Sequence, residues 1–130
     1  MDAGAEFLTF EPCPAADVAD WLALAEKRGR AEGAGGVEAL IRKGQCFRMV
    51  LGGQTVGAYL LEVIGAEVFI LAAAGRADLN MTAAIDAAVC QMAQDFDTVA
   101  FCTIRPGLMK KTAALGYKRE GNIFRKRIRP

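Results

Sequence analysis

The sequence predicts a mixed α/β domain of the α+β kind, with one central mixed sheet and helices on both faces. Three observations carry this. Residues 46–73 hold three β-patterned runs joined by short glycine turns, the pattern of an antiparallel meander. The next run changes from strand to helix periodicity and is followed by another apolar strand, so the two strands flanking that helix should pair in parallel. The 130 residues are 53% hydrophobic and 24% charged, enough to bury one core and too apolar for disorder. A single domain over residues 1–130 is expected.

Residues 6–10 alternate apolar and polar and read as a first strand, punctuated by Pro12 and Pro14. Residues 15–28 read as a helix with Val18, Trp21, Leu22 and Ala25 on one face. Asp17 and Asp20 sit near its start and Lys27 and Arg28 at its end, as the helix dipole favours. Gly29, Gly33, Gly35 and Gly36 mark a connection, and a short helix over 37–43 stops at Gly44. The meander strands fall at 46–51, 55–64 and 67–73, turning at Gly52-Gly53 and Gly65-Ala66. The unbroken run Val68-Phe69-Ile70-Leu71 puts the third strand centrally, covered on both faces. Ile85, Val89, Met92 and Phe96 define a helix over 80–94, and a buried strand follows over 97–104. Pro106 opens a helix over 107–115, Gly116 caps it, and 117–120 with 123–129 form a hairpin turning at Gly121-Asn122. The order is β-α-α-β-β-β-α-β-α-β-β.

Composition excludes several chemistries. With no histidine there is no Ser-His-Asp or Cys-His triad and no histidine base. The four cysteines (Cys13, Cys46, Cys90, Cys102) contain no Cys-x-x-Cys pair, so no metal is expected and they read as core thiols in a reducing compartment. No apolar run suits a bilayer span, since Glu67 interrupts 66–74, and the acidic start lacks the order of a signal peptide. A cytoplasmic location with no membrane partner is expected. Charge is uneven: residues 101–130 hold 9 of the 16 Lys/Arg but 1 of the 15 Asp/Glu. Two readings stand open. One is an anionic partner, whether a phosphate-bearing ligand, nucleic acid or an acidic protein face; the other is a solvated helix face beside a charged edge strand.

The element order, with Gly53-Gln54-Thr55-Val56-Gly57 leading into a meander strand and Leu115-Gly116-Tyr117 ending the last helix, resembles the GNAT superfamily of acyl-CoA-dependent N-acyltransferases over nearly the whole chain. The resemblance implies that the parallel strands ending near Gly75 and Ile104 splay into a cleft that receives the N-terminus of the intervening helix. Such a terminus is an anion site. In the family it holds the pyrophosphate of acetyl-CoA. Acetyl-CoA is therefore the implied cofactor, with Ala74, Gly75, Arg76, Ala77, Asp78, Leu79 and Asn80 as its binding loop and Arg105 and Lys110 as further phosphate contacts. A small-molecule or protein amine is the implied acceptor.

Several positions depart from the family pattern. Its loop reads Gln/Arg-x-x-Gly-x-Gly/Ala; with Arg76 leading, Leu79 and Met81 stand where the glycines belong, and Asp78 adds a repelling charge. The loop is thus degenerate. The tyrosine that protonates the departing thiolate in many members is replaced by Thr112, and Arg105 stands where Asn is frequent. Glu67, ahead of Glu62, is the candidate general base. Two functions follow. One is direct acetyl transfer to an amine, with Glu67 and Thr112 as the catalytic candidates. The other is a non-catalytic GNAT-like structural or binding protein. Such a protein resembles bacteriophage- or prophage-encoded virion and assembly components, docking on other subunits, or more weakly on nucleic acid, through its basic C-terminal face.

Overall fold

The structure, a computed structural model, describes residues 8–27, 36–76, 80–102 and 106–129. Its elements are β1 (Leu8–Pro12), α1 (Ala19–Lys27), α2 (Gly36–Lys43), β2 (Gln45–Leu51), β3 (Gln54–Ile64), β4 (Glu67–Gly75), α3 (Met81–Met92), β5 (Thr98–Cys102), α4 (Pro106–Ala114), β6 (Lys118–Glu120) and β7 (Ile123–Arg127). The strands form one mixed sheet in the order β1-β2-β3-β4-β5-β7-β6. Every neighbouring pair is antiparallel except β4 and β5, which are parallel across the α3 crossover, as predicted.

Several element bounds differ from the sequence reading by up to two residues: β1 extends through Pro12, α3 ends at Met92 and β7 at Arg127. The first helix is preceded by a 3-10 turn at Ala15–Val18, because extended Pro14 offers its carbonyl to the Asp17 N–H at 3.0 Å; regular helix begins only at Ala19. β4 ends at Gly75, as the family resemblance implied and two residues past the β-patterned run over 67–73, because it stays paired with β3 up to the Gly57–Gly75 register pair.

The sheet separates two cores. On one face Val18, Leu22 and Ala25 pack against Cys46, Ala58, Leu60, Ala72 and Ala74. The alanines of β3 and β4 leave room for the helix to lie close. On the other face Ile85 and Val89 of α3, with Leu108 and Met109 of α4, cover Met49, Tyr59, Val99, Phe101 and Phe124. Burying each large side chain contributes about 1.5–3 kcal/mol, so these two faces supply most of the drive to fold.

One irregularity positions the site. Leu60 pairs with Ala72 but Leu61 pairs with Ile70, so Leu71 is an extra residue in β4. A bulge of this kind bends its strand and increases its twist. Pairing between β4 and β5 ends one step earlier, at Ile70 and Phe101.

Candidate functional site

β4 and β5 both continue past their last pair, β4 to Gly75 and β5 to Cys102, yet they no longer pair. Among the described residues, no strand pairs with β4 over 71–75 on its β5 side, and this edge faces an opening. The opening leads to the start of α3. Arg76, just past β4, donates its N–H to the Val56 carbonyl at 3.0 Å, which fixes the chain as it leaves the sheet. Asn80 caps α3, its Oδ1 accepting from the Ala83 N–H at 3.3 Å. The first-turn amides of Met81 and Thr82 have no carbonyl within the helix to bond, and with the positive dipole end they form an anion-attracting corner.

No family model and no curated protein matches the chain. Solved structures do match. An IAA acetyltransferase from Bacillus cereus is 12% identical with a TM-score of 0.72, over 93% of this chain and 99% of that one. A GNAT family acetyltransferase from Elizabethkingia anophelis, with acetyl-CoA bound, is 12% identical with a TM-score of 0.72, over 92% and 97%. An acetyltransferase from Bacillus subtilis in complex with CoA is 14% identical with a TM-score of 0.64, over 92% and 95%. This chain has the GNAT fold. The phage and virion reading draws no support from these neighbours.

Within the GNAT fold the sequence-predicted residues divide. Ala74 and Gly75 are buried at the end of β4, Arg76 follows half-buried, and Asn80 is exposed at the cap of α3, so these four come together at the corner. Ala77, Asp78, Leu79 and Arg105 lie outside the described residues. Lys110 is exposed on α4. Met81 packs within the fold at this corner. It is 8% exposed and turned back against Gly75, where an added Cβ would lie 2.5 Å from Met81 Cε.

Glu67, one of the two predicted catalytic side chains, is not at the opening. Glu67 begins β4 while Gly75 ends it, a separation of roughly 25 Å at strand rise. Its carboxylate accepts from Arg125 Nε at 2.5 Å, Arg125 Nη2 at 3.2 Å and Thr98 Oγ1 at 3.1 Å. The Arg125 hydrogen bond, outweighing burial, holds it below the usual carboxylate range, the wrong direction for a base. Glu62 lies at the same end, opposite Phe69. Thr112 is 3% exposed and gives its hydroxyl proton to the Leu108 carbonyl at 2.8 Å, one turn back along α4. A bond of that kind satisfies a buried hydroxyl within its own helix.

The sequence reading missed a polar cluster on the α3 side. Asp86 accepts from Tyr117 Oη at 2.8 Å, from Lys126 Nζ at 3.1 Å and from Cys90 Sγ at 3.5 Å. Lys126 also lies 5.5 Å from the centre of the Tyr117 ring. Burial first, then the Asp86 charge, push the Tyr117 phenol well above its ordinary value. A signal was present: Asp86 is the only charged residue in α3. The cluster also bears on the basic C-terminus, because Arg125 pairs with Glu67 and Glu120 while Lys126 pairs with Asp86. Part of that positive charge thus neutralises acids inside the fold, a use neither charge reading anticipated.

An open groove of about 410 Å³ lies at the other end of α3, lined by Phe47, Leu61, Val68, Met92 and Phe96 among others. Among the described residues no group of three or more His, Cys, Asp or Glu is placed to hold a metal ion. No described helix is long and apolar enough to cross a membrane.

Proposed function

We propose that the chain is an acetyl-CoA-dependent N-acetyltransferase that passes the acetyl group directly to an amine, with the cofactor in the opening between β4 and β5. The parting of these parallel strands at Leu71 carries the reading, because it leaves a strand edge leading directly to a capped helix N-terminus. The residues fit the cofactor. Its amide-bearing arm can bond the edge of β4 over 71–75 as an added strand would. Arg76 and the first-turn amides of Met81 and Thr82 would hold the diphosphate, with the Met81 side chain turned inward and out of its way. Arg105 and Lys110 enter this reading as outlying phosphate contacts.

Bound acetyl-CoA supplies an activated thioester. The chain's part is to bind it, orient it and admit an amine that has already lost its proton to water. No side-chain acid or base is assigned, since Glu67 and Thr112 are both engaged elsewhere. The acceptor in this reading is a small-molecule or protein amine, and residues 1–130 act as one domain in a cytoplasm. Calorimetric titration with acetyl-CoA tests binding, and amine-dependent release of the CoA thiol tests transfer. Saturable heat that Arg76→Glu abolishes is the expected result. Absence of heat at millimolar ligand would end the reading and leave a non-catalytic GNAT-fold protein.

A further inference from the structure

On the opposite side of the molecule from α3, two cysteines that are 33 positions apart in sequence meet. Cys13 follows β1 and Cys46 is the second residue of β2. The register Pro12–Phe47 continues by one step to set Cys13 opposite Cys46, and the Cys13 N–H donates to the Cys46 carbonyl at 3.1 Å. Their sulfurs are 3.9 Å apart. Both belong to the core beneath α1, Cys46 buried and Cys13 half-buried. Directly opposed residues of an antiparallel pair have Cα atoms about 4.5–5.5 Å apart. A disulfide spans about 4.4–6.8 Å between Cα atoms, so the span of this register falls within the range the bond needs.

We infer that Cys13 and Cys46 form a reversible oxidation site, a dithiol that closes to a disulfide by exchange with a low-molecular-weight disulfide such as oxidised glutathione. The Cys13 thiolate attacks one sulfur of oxidised glutathione and releases one glutathione thiolate. Cys46 gives its proton to solvent, attacks the Cys13 sulfur of the mixed disulfide and releases the second. Two protein thiols are oxidised by two electrons, and one glutathione disulfide is reduced to two thiols. The exposure difference sets the order: Cys13 meets the oxidant and Cys46 resolves. The enclosed loop contains the 3-10 turn, α1 and α2 in full, so oxidation fastens the point where this helical excursion leaves the sheet to the point where it returns.

Cys90 and Cys102 serve as internal controls. Full-length protein is incubated with oxidised glutathione, quenched with acid, alkylated and mapped by peptide mass spectrometry. A cross-linked peptide joining Cys13 to Cys46 is expected, with Cys90 and Cys102 still alkylated and both lost thiols restored by dithiothreitol. Native structure should raise the equilibrium for this bond roughly a hundredfold over the urea-unfolded chain, the linkage counterpart of a typical disulfide's stabilisation. Oxidation that stops at a mixed disulfide on Cys13 would overturn the inference. So would predominant cross-linking through Cys90 or Cys102, or an equilibrium no higher than in the unfolded chain. All of these measurements use the unmutated protein.

Discussion

Gly57 of β3 and Gly75 of β4 are register partners, and neither position has room for a methyl group. A Cβ on Gly57 would lie 2.7 Å from the Ala74 carbonyl oxygen and 3.0 Å from the Gly75 Cα, both backbone atoms that cannot yield. A Cβ on Gly75 would instead strike the Met81 side chain, which can move. Gly57→Ala should therefore cost about 1–3 kcal/mol, and Gly75→Ala less. Adding Met81→Ala to Gly75→Ala should cost less than the sum of the two single changes. Urea midpoints at constant m-value measure all four proteins.

Asp86 and Lys126 have side chains only 12% and 24% exposed, and the pair joins α3 to β7. Lys126→Met leaves the carboxylate with the phenol and a thiol as its donors, so a loss of about 2–4 kcal/mol is expected. Tyr117→Phe should cost about 1 kcal/mol, since Lys126 remains on Asp86. In a double-mutant cycle, Asp86→Asn with Lys126→Met should fall short of additivity by more than about 1 kcal/mol. Additive losses would mean that the ion pair does not couple the two elements.

Both tyrosines of this chain are buried, Tyr59 at 0% and Tyr117 at 6% exposure, and burial raises both phenols. An ordinary tyrosine is half-ionised near about pH 10. The folded protein should show almost no phenolate absorbance there, and the signal should appear together with loss of near-ultraviolet circular dichroism. A group with a raised folded-state pKa stabilises fully below its unfolded value. Stability should accordingly hold up to about pH 10 and fall above it. Smooth titration of either tyrosine at pH 10 with structure intact would contradict the observed burial.

The order of elements and the parallel crossover were legible because they depend on local periodicity and glycine turns, which the chain states openly between Cys46 and Gly75. The change from strand to helix periodicity after Gly75 was legible because it is local too. The roles of Glu67 and Thr112 were not. Their assignments depended on what faces each side chain, and that was decided by Arg125, 58 positions away, and by the Leu108 carbonyl within the helix. The bulge at Leu71 was equally hidden, since an extra residue in a strand shows only in its register against a neighbour. The Cys13–Cys46 meeting belongs to the same class, set by strand pairing rather than by spacing.

Glu67 has a carboxyl pKa held down chiefly by the Arg125 hydrogen bond. A depressed carboxylate stabilises above its unfolded pKa of about 4.3 and loses that contribution as pH falls through the folded value. Wild-type stability should decline as pH falls below the unfolded value, and part of that slope should be missing in Glu67→Gln. The pair is partly solvent-exposed, so about 1 kcal/mol or less is at stake. Because Glu67 lies a strand length from Gly75, Glu67→Gln should leave acetyl-CoA affinity unchanged and lower acetyl transfer less than twofold at pH 7. A large loss of turnover in a protein of undiminished fold would return Glu67 to the reaction.

Asn80 separates the structural role of the α3 cap from its proposed role in binding. Asn and Asp are equally good caps, and each can accept the Ala83 N–H. Asn80→Asp should therefore keep the melting temperature or raise it slightly through the helix dipole. The same substitution places a negative charge beside the amides proposed to hold a diphosphate. A coulombic cost of about 1–2 kcal/mol at partly screened distances corresponds to roughly tenfold weaker acetyl-CoA binding. The penalty should grow at low salt, where screening is weakest. Asn80→Ala should reverse the balance, losing about 1 kcal/mol of stability with little effect on affinity at saturating fold. Equal affinity for wild type and Asn80→Asp at low ionic strength would place the cofactor's phosphates away from the start of α3.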